Sequence, residues 1–195
     1  MGALTLAVIG LVIVSGSISE EDHRRTVGTV RLRPLQSMGH RLVSDGLKQS
    51  GTLRRLVQAL DRSDVIVYLE LRGDMPSKIA GSLRFVAPSA SDRFLRISLN
   101  RRHEWSTLIA MLGHELQHAT EVAAAREVRS ADGLRTFYQR VGIRVGENAY
   151  DSSAAQEMGR IVRAELRGGP RLLPGRRASL DDILLGSGSI AAVAQ

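Results

Sequence analysis

Cysteine is absent from all 195 residues. That excludes a disulfide framework, a thiolate zinc site and a cysteine nucleophile, so any metal must be held by imidazole and carboxylate. Aromatic residues make up only 4%, which leaves little for the stacking platforms that bind single-stranded nucleic acid. Lysine is scarce as well: Lys48 and Lys78 stand alone, and every other basic residue is arginine. The net charge of +7 suits an acidic partner, such as nucleic acid or an anionic membrane surface. Yet the arginines are dispersed, in pairs such as Arg24-Arg25, Arg54-Arg55, Arg101-Arg102 and Arg176-Arg177. No sustained basic run and no nucleic-acid motif is present, so the expectation is no nucleic-acid partner. No apolar run reaches the about 20 residues of a comfortable membrane span. What is present, 43% hydrophobic and 24% charged residues, is the composition of a folded domain with ample length for a core.

The longest apolar run, Ala3 to Val14, lies at the amino terminus. It is followed by the small residues Ser15-Gly16-Ser17-Ile18-Ser19 and the charged Glu20-Glu21-Asp22-His23-Arg24-Arg25. Its length suits the apolar core of a signal peptide, although the basic residues that usually precede one are missing. The expectation is an exported protein, periplasmic or secreted, with residues 1–25 a signal peptide or a short hydrophobic anchor. Membrane association through residues 3–14 goes with the anchor alternative. A folded domain is expected over 26–167. From 168 to 195 the composition shifts to Gly, Pro, Ser and Arg, as in Gly168-Gly169-Pro170 and Gly186-Ser187-Gly188-Ser189, which reads as a tail of low order.

Within the domain, apolar spacing predicts helices between Leu35 and Leu60, divided at Gly46 and Ser50-Gly51. Asp64 to Leu71, Ile79 to Val86 and Phe94 to Leu99 carry the β-branched and alternating patterns of strands. A long helix is expected from about Glu104 to Val128, then a short one near Leu134 to Val141, then another from about Ser152 to Leu166. The class is therefore α+β.

One pentapeptide states a chemistry. His114-Glu115-Leu116-Gln117-His118 is an HExxH motif inside the long helix, where residues i and i+4 project from one face about one turn apart. Two imidazoles so placed converge on one metal ion, and Glu115 between them is placed as general base toward a metal-activated water. The core stripe of that helix, Trp105, Leu108, Ile109, Leu112, Leu116, Ala119 and Val122, lies on another face. A third ligand is required and must be a carboxylate or one of His23, His40 and His103. Glu157 is one candidate. Glu121 is another, at i+7 from His114, and is better suited to supporting a ligand histidine than to reaching the ion itself.

Helix, three strands, an HExxH helix and a further helix resemble the zincin metallopeptidases, over about residues 35 to 167. Tyr150-Asp151-Ser152-Ser153-Ala154-Ala155, taken with His114-Glu115-Leu116-Gln117-His118, also resembles segments in a group of uncharacterised small bacterial proteins. Among zincins, the gluzincin type takes its third ligand from a later helix, at the head of a Glu-x-x-Ala motif. Asp151-Ser152-Ser153-Ala154 is similar to that motif with Asp for Glu. The resemblance thus implies Zn2+ on His114, His118 and Asp151, and a small, mostly antiparallel sheet packed on the HExxH helix, with a further ligand helix toward the carboxy terminus. It implies a peptide or protein substrate, with Tyr138 or Tyr150 as an oxyanion donor. It also implies that the strand Phe94 to Leu99 borders the cleft and pairs with extended substrate. The alternative reading is a non-catalytic metal-binding or exported interaction protein on the same fold.

Overall fold

The computed structural model describes residues 31–146 and 149–168; the expected signal or anchor segment and nearly all of the expected tail lie outside them. Among the described residues, six strands and five helices follow one another as β1 (Leu32–Pro34), α1 (Ser37–Gln49), α2 (Gly51–Asp61), β2 (Val65–Arg72), β3 (Gly81–Pro88), β4 (Arg93–Asn100), α3 (Trp105–Ala124), α4 (Ala131–Val141), β5 (Ile143–Arg144), β6 (Tyr150–Asp151) and α5 (Ser153–Leu166). The α+β class is as expected. None of the described helices is long and apolar enough to cross a membrane.

The main sheet has the order β1-β2-β4-β3. It is mixed rather than mostly antiparallel: β1 with β2 and β2 with β4 run parallel, and only β3 with β4 runs antiparallel. Two features account for the difference. The short strand β1 lacks any length of pattern, and the helix pair α1–α2 carries the chain from it across to the parallel β2. Then β3 does not pair with β2 as a meander would. It takes the outer position, and β4 returns through the slot between them, paired along eight positions from Val65↔Arg93 to Arg72↔Asn100. The strand expected to border a cleft is therefore interior, and β3 forms the edge.

Alternation along the strands puts Val65, Val67, Leu69, Leu95, Ile97 and Leu99 on one face, where they join the core with Leu53, Leu60, Leu108, Leu112 and Leu116 of the helices. Burial of this apolar surface is the main stabilising term. The opposite face carries Tyr68 stacked on Phe94, ring centroids 6.2 Å apart, and Ser98 donating to Glu70 at 2.6 Å.

The first helical stretch breaks once, at Ser50, whose hydroxyl caps α2 by accepting from Leu53 N at 2.9 Å. Gly46 does not divide it. It lies buried inside α1, where a Cβ would stand 2.5 Å from Leu53 Cδ2 and 3.1 Å from Ile109 Cγ2. Glu165 of α5 reaches back to this junction, accepting from the Ser50 hydroxyl and from Thr52 N at 3.2 Å and Thr52 Oγ1 at 3.0 Å.

The long helix α3 is held at its carboxy end by an arginine with no solvent exposure. Arg93 Nη1 donates to the carbonyls of Val122 (2.8 Å), Ala125 (2.7 Å) and Val128 (3.2 Å), and Nη2 to that of Ala123 (3.1 Å). Its Nε and Nη2 also donate to Asp64 at 2.9 and 2.7 Å. A planar fork of donors gathers carbonyls at and just past the last turn of the helix, two of which, Val122 and Ala125, also accept from backbone N–H groups, and its charge complements the helix dipole.

Candidate metal centre

The helix α3 presents His114 and His118 one turn apart, with ring centroids 4.9 Å apart and planes at 75°. Opposite them, the two-stranded ladder of β5 and β6 pairs Ile143 with Asp151 and ends just before α5. Asp151 Oδ1 lies 3.2 Å from His114 Nε2 and 3.3 Å from His118 Nε2. The three side chains are fully or almost fully buried, and together they form a group able to hold a metal ion. Of the third ligands considered from the sequence, Asp151 is, among the described residues, the one brought to the histidines. Helix capping does not occupy it, because the N-cap of α5 is the next residue, Ser152, whose hydroxyl accepts from Ala155 N at 3.1 Å.

The contacts fit an ion better than a direct hydrogen bond. A charge-assisted N–H···O bond is about 2.7–2.9 Å long and nearly straight. Here the distances are longer, and neither Nε2 has a hydrogen-bond partner of acceptable geometry. Two atoms bound to one tetrahedral ion at about 2.0–2.1 Å lie roughly 3.3 Å apart, which is the separation found. Tautomer logic agrees for His118. Its Nδ1 lies 3.1 Å from Glu121 Oε2 and 2.9 Å from the Tyr138 hydroxyl, and that hydroxyl donates to Glu121 Oε2 at 2.9 Å. With the Tyr138 proton so used, the network assigns a proton to Nδ1 of His118. In the neutral ring a lone pair on Nε2 then faces a carboxylate oxygen, an arrangement relieved by a cation between them or by a second proton on the ring.

Charge is concentrated accordingly. For Asp151, burial works to raise the pKa, but the neighbouring His114 and His118 outweigh it and hold the carboxyl well below its usual range. For His118, burial works to lower the pKa, and Asp151 and Glu121 instead hold it up to about 9. Asp151 is also fixed from its own segment, with Oδ1 accepting from Ser152 N at 2.7 Å and Oδ2 from Gln156 Nε2 at 3.0 Å.

Glu115 is fully buried, and neither carboxylate oxygen has a partner. Burial pushes its pKa up, against the opposing pull of His114 and His118. It lies against the first residue of β3, where a Cβ on Gly81 would stand 2.5 Å from Oε1 and 3.2 Å from Cδ. A buried carboxylate without hydrogen bonds is costly to keep unless something else uses it.

Glu121 faces His118 Nδ1 and accepts from Ser152 Oγ at 2.6 Å, so one carboxylate joins α3 to the head of α5. Tyr138 sits on the same side. Burial raises its pKa, reinforced by Glu121, and it serves the ring nitrogen of His118 that faces away from Asp151. There its hydroxyl is engaged by His118 Nδ1 and Glu121 Oε2. Tyr150 is half-buried against the core and makes no hydrogen bond among the described residues. Glu157 pairs with Arg160 at 2.7 Å at the surface, away from the histidines. His40 is exposed on α1, His103 lies in the turn after β4, and neither joins the cluster; His23 lies outside the described residues.

Sequence reading missed Gly81, Ser152 and Gln156. The serine carried a signal, since Ser three residues before the first inward Ala155 is an N-cap pattern. The other two carried none, because their roles depend on contacts across the fold. The sequence also placed the histidines on a face away from the core, whereas α5 and β3 cover that face and bury it. Compared with known proteins, the chain matches no family, no curated protein and no solved structure.

Proposed function

We propose that this protein is a zinc-dependent hydrolase acting on peptide bonds, built on a minimal zincin-like fold. The observation that carries the reading is a free, buried carboxylate, Glu115, on the turn of helix between two histidines that share an aspartate oxygen. His114, His118 and Asp151 offer two nitrogens and one oxygen, a donor set suited to zinc, and leave a fourth position of a tetrahedral site for water or substrate. Bound there, zinc supplies Lewis acidity to a water and to a carbonyl oxygen.

The residues of the chain do the rest. Glu115 takes a proton at a carboxylate oxygen from the attacking water and delivers it to the departing amine, a role favoured by a pKa that burial raises above the ordinary carboxylate value. Glu121 and Tyr138 hold the His118 ring with its Nε2 turned inward. The edge strand β3 begins beside Glu115, and its outer edge is unpaired among the described residues. An extended peptide added to that edge would bring its backbone toward the base.

A second reading has its own support. Glu115, His114, His118 and Asp151 are all closed off from solvent, as in a metal site that serves structure. Replacing Glu115 by Gln separates the two. With zinc bound to both forms, the hydrolase reading predicts cleavage of a quenched-fluorescence peptide library by the wild type and a loss of about 10²-fold or more in the variant. Equal behaviour of the two zinc-loaded forms leaves the structural metal.

A further inference from the structure

Aspartate is the shortest carboxylate side chain, with a single methylene between backbone and carboxyl. For Asp151 to touch both imidazoles, the segment that carries it must come unusually near α3. Two glycines at the crossing of α3 and α5 permit this. A Cβ on Gly113 of α3 would stand 2.7 Å from Val162 Cγ2 of α5. A Cβ on Gly159 of α5 would stand 3.3 Å from His114 Cβ and 3.6 Å from both the Ala110 carbonyl oxygen and His114 Nδ1. One glycine lies on each helix, the first adjoins a ligand histidine in sequence, and the second touches that histidine in space. Both sit in helix interiors, where glycine is unfavourable. Interaxial distance between packed helices is set by the side chains at the contact.

We infer that Gly113 and Gly159 are positioning residues for the metal centre, setting the helix separation at which aspartate rather than glutamate completes the ligand set. This rests on the metal reading above but not on turnover. Added bulk at the crossing moves α5 outward, and Asp151 at its head then falls short of the histidines. A longer carboxylate recovers the reach.

The test is zinc affinity, measured by competition with a chromogenic chelator, on the full chain and four variants: Gly159→Ala, Asp151→Glu, the two combined, and Gly113→Ala. Thermal melting in the presence of chelator reports fold separately, since Gly→Ala inside a helix is intrinsically favourable. Gly159→Ala is expected to weaken zinc binding by about tenfold or more, as disturbing the residues behind a ligand does, while the chelated protein melts no lower than wild type. Asp151→Glu should weaken zinc binding in the wild-type background yet strengthen it in the Gly159→Ala background. If Gly159→Ala melts low, the same comparison is made with Gly113→Ala, alone and combined with Val162→Ala, which removes the methyls that the new Cβ would meet. The combination is then expected to recover affinity. Unchanged affinity in the folded glycine variants, or an Asp151→Glu effect identical in both backgrounds, overturns the inference. A wild-type chain that takes up no zinc overturns the metal reading instead, and is seen before any variant is compared.

Discussion

At the scale of the residue, the site depends on where a few buried atoms are aimed. The Glu115 carboxylate has backbone beside it at Gly81 and no hydrogen bond to fix it. A methyl at Gly81 must displace that carboxylate. Gly81→Ala is therefore expected to leave zinc content unchanged while lowering peptide hydrolysis by about 10²-fold, the scale of a misplacement near 1 Å. Loss of metal in this variant would show that Gly81 supports the ligands rather than the base. Glu121→Gln addresses the other side of the centre. Glutamine keeps the size of the side chain but removes the charge facing His118 Nδ1, and zinc affinity is expected to fall about 10- to 100-fold in a chelator competition. Unchanged affinity would reduce Glu121 to a structural clasp. His114, Glu115 and His118 were legible in the sequence because their relation is local, three residues on one helical turn. Asp151 was legible only through its resemblance to a longer motif. Its nearness to both histidines depends on Ser152 taking the cap and on two helices meeting at glycines, neither of which is a pattern of spacing.

At the scale of the element, the helix that bears the histidines is anchored by a group that composition would place at the surface. Arg93 is fully buried, and its donors gather four carbonyls at and just past the end of α3 together with the Asp64 carboxylate. The ion pair brings Asp64 below its ordinary pKa, chiefly through the hydrogen bond from Arg93. Removing one partner of a buried, hydrogen-bonded charge pair costs about 3–5 kcal/mol. Asp64 retains 35% exposure, so water can take it back, and the lower end of that range is expected for Arg93→Met. Urea denaturation of the chelated protein checks this; a loss below about 1 kcal/mol would mean that the helix end is held by packing alone. The helices themselves were readable because an amphipathic period repeats over many residues. The strand order was not. With β1 three residues long and β5 and β6 two each, none carries enough alternation to register. The slotting of β4 between β2 and β3 is a choice among pairings that local sequence leaves equal.

At the scale of the whole molecule, the metal centre is also a joint. It links α3, which runs through the core, to the β6–α5 segment that closes over it, through the three side chains together with the hydrogen bond from Ser152 to Glu121. A ligand that binds only the folded state stabilises it by about 4 kcal/mol when present at 1,000 times its dissociation constant. For a chain of this size that corresponds to roughly 10 °C in melting temperature. Zinc should therefore be both bound and felt. The most direct measurement is the metal content of the purified wild type after saturating zinc supply, beside His114→Ala and Asp151→Ala, with the melting temperature of each before and after chelation. One zinc per chain in the wild type, loss in both variants, and a fall of about 10 °C on chelation confined to the wild type are predicted. Substoichiometric zinc in a folded wild type, or full zinc retained in Asp151→Ala, would contradict the site as described.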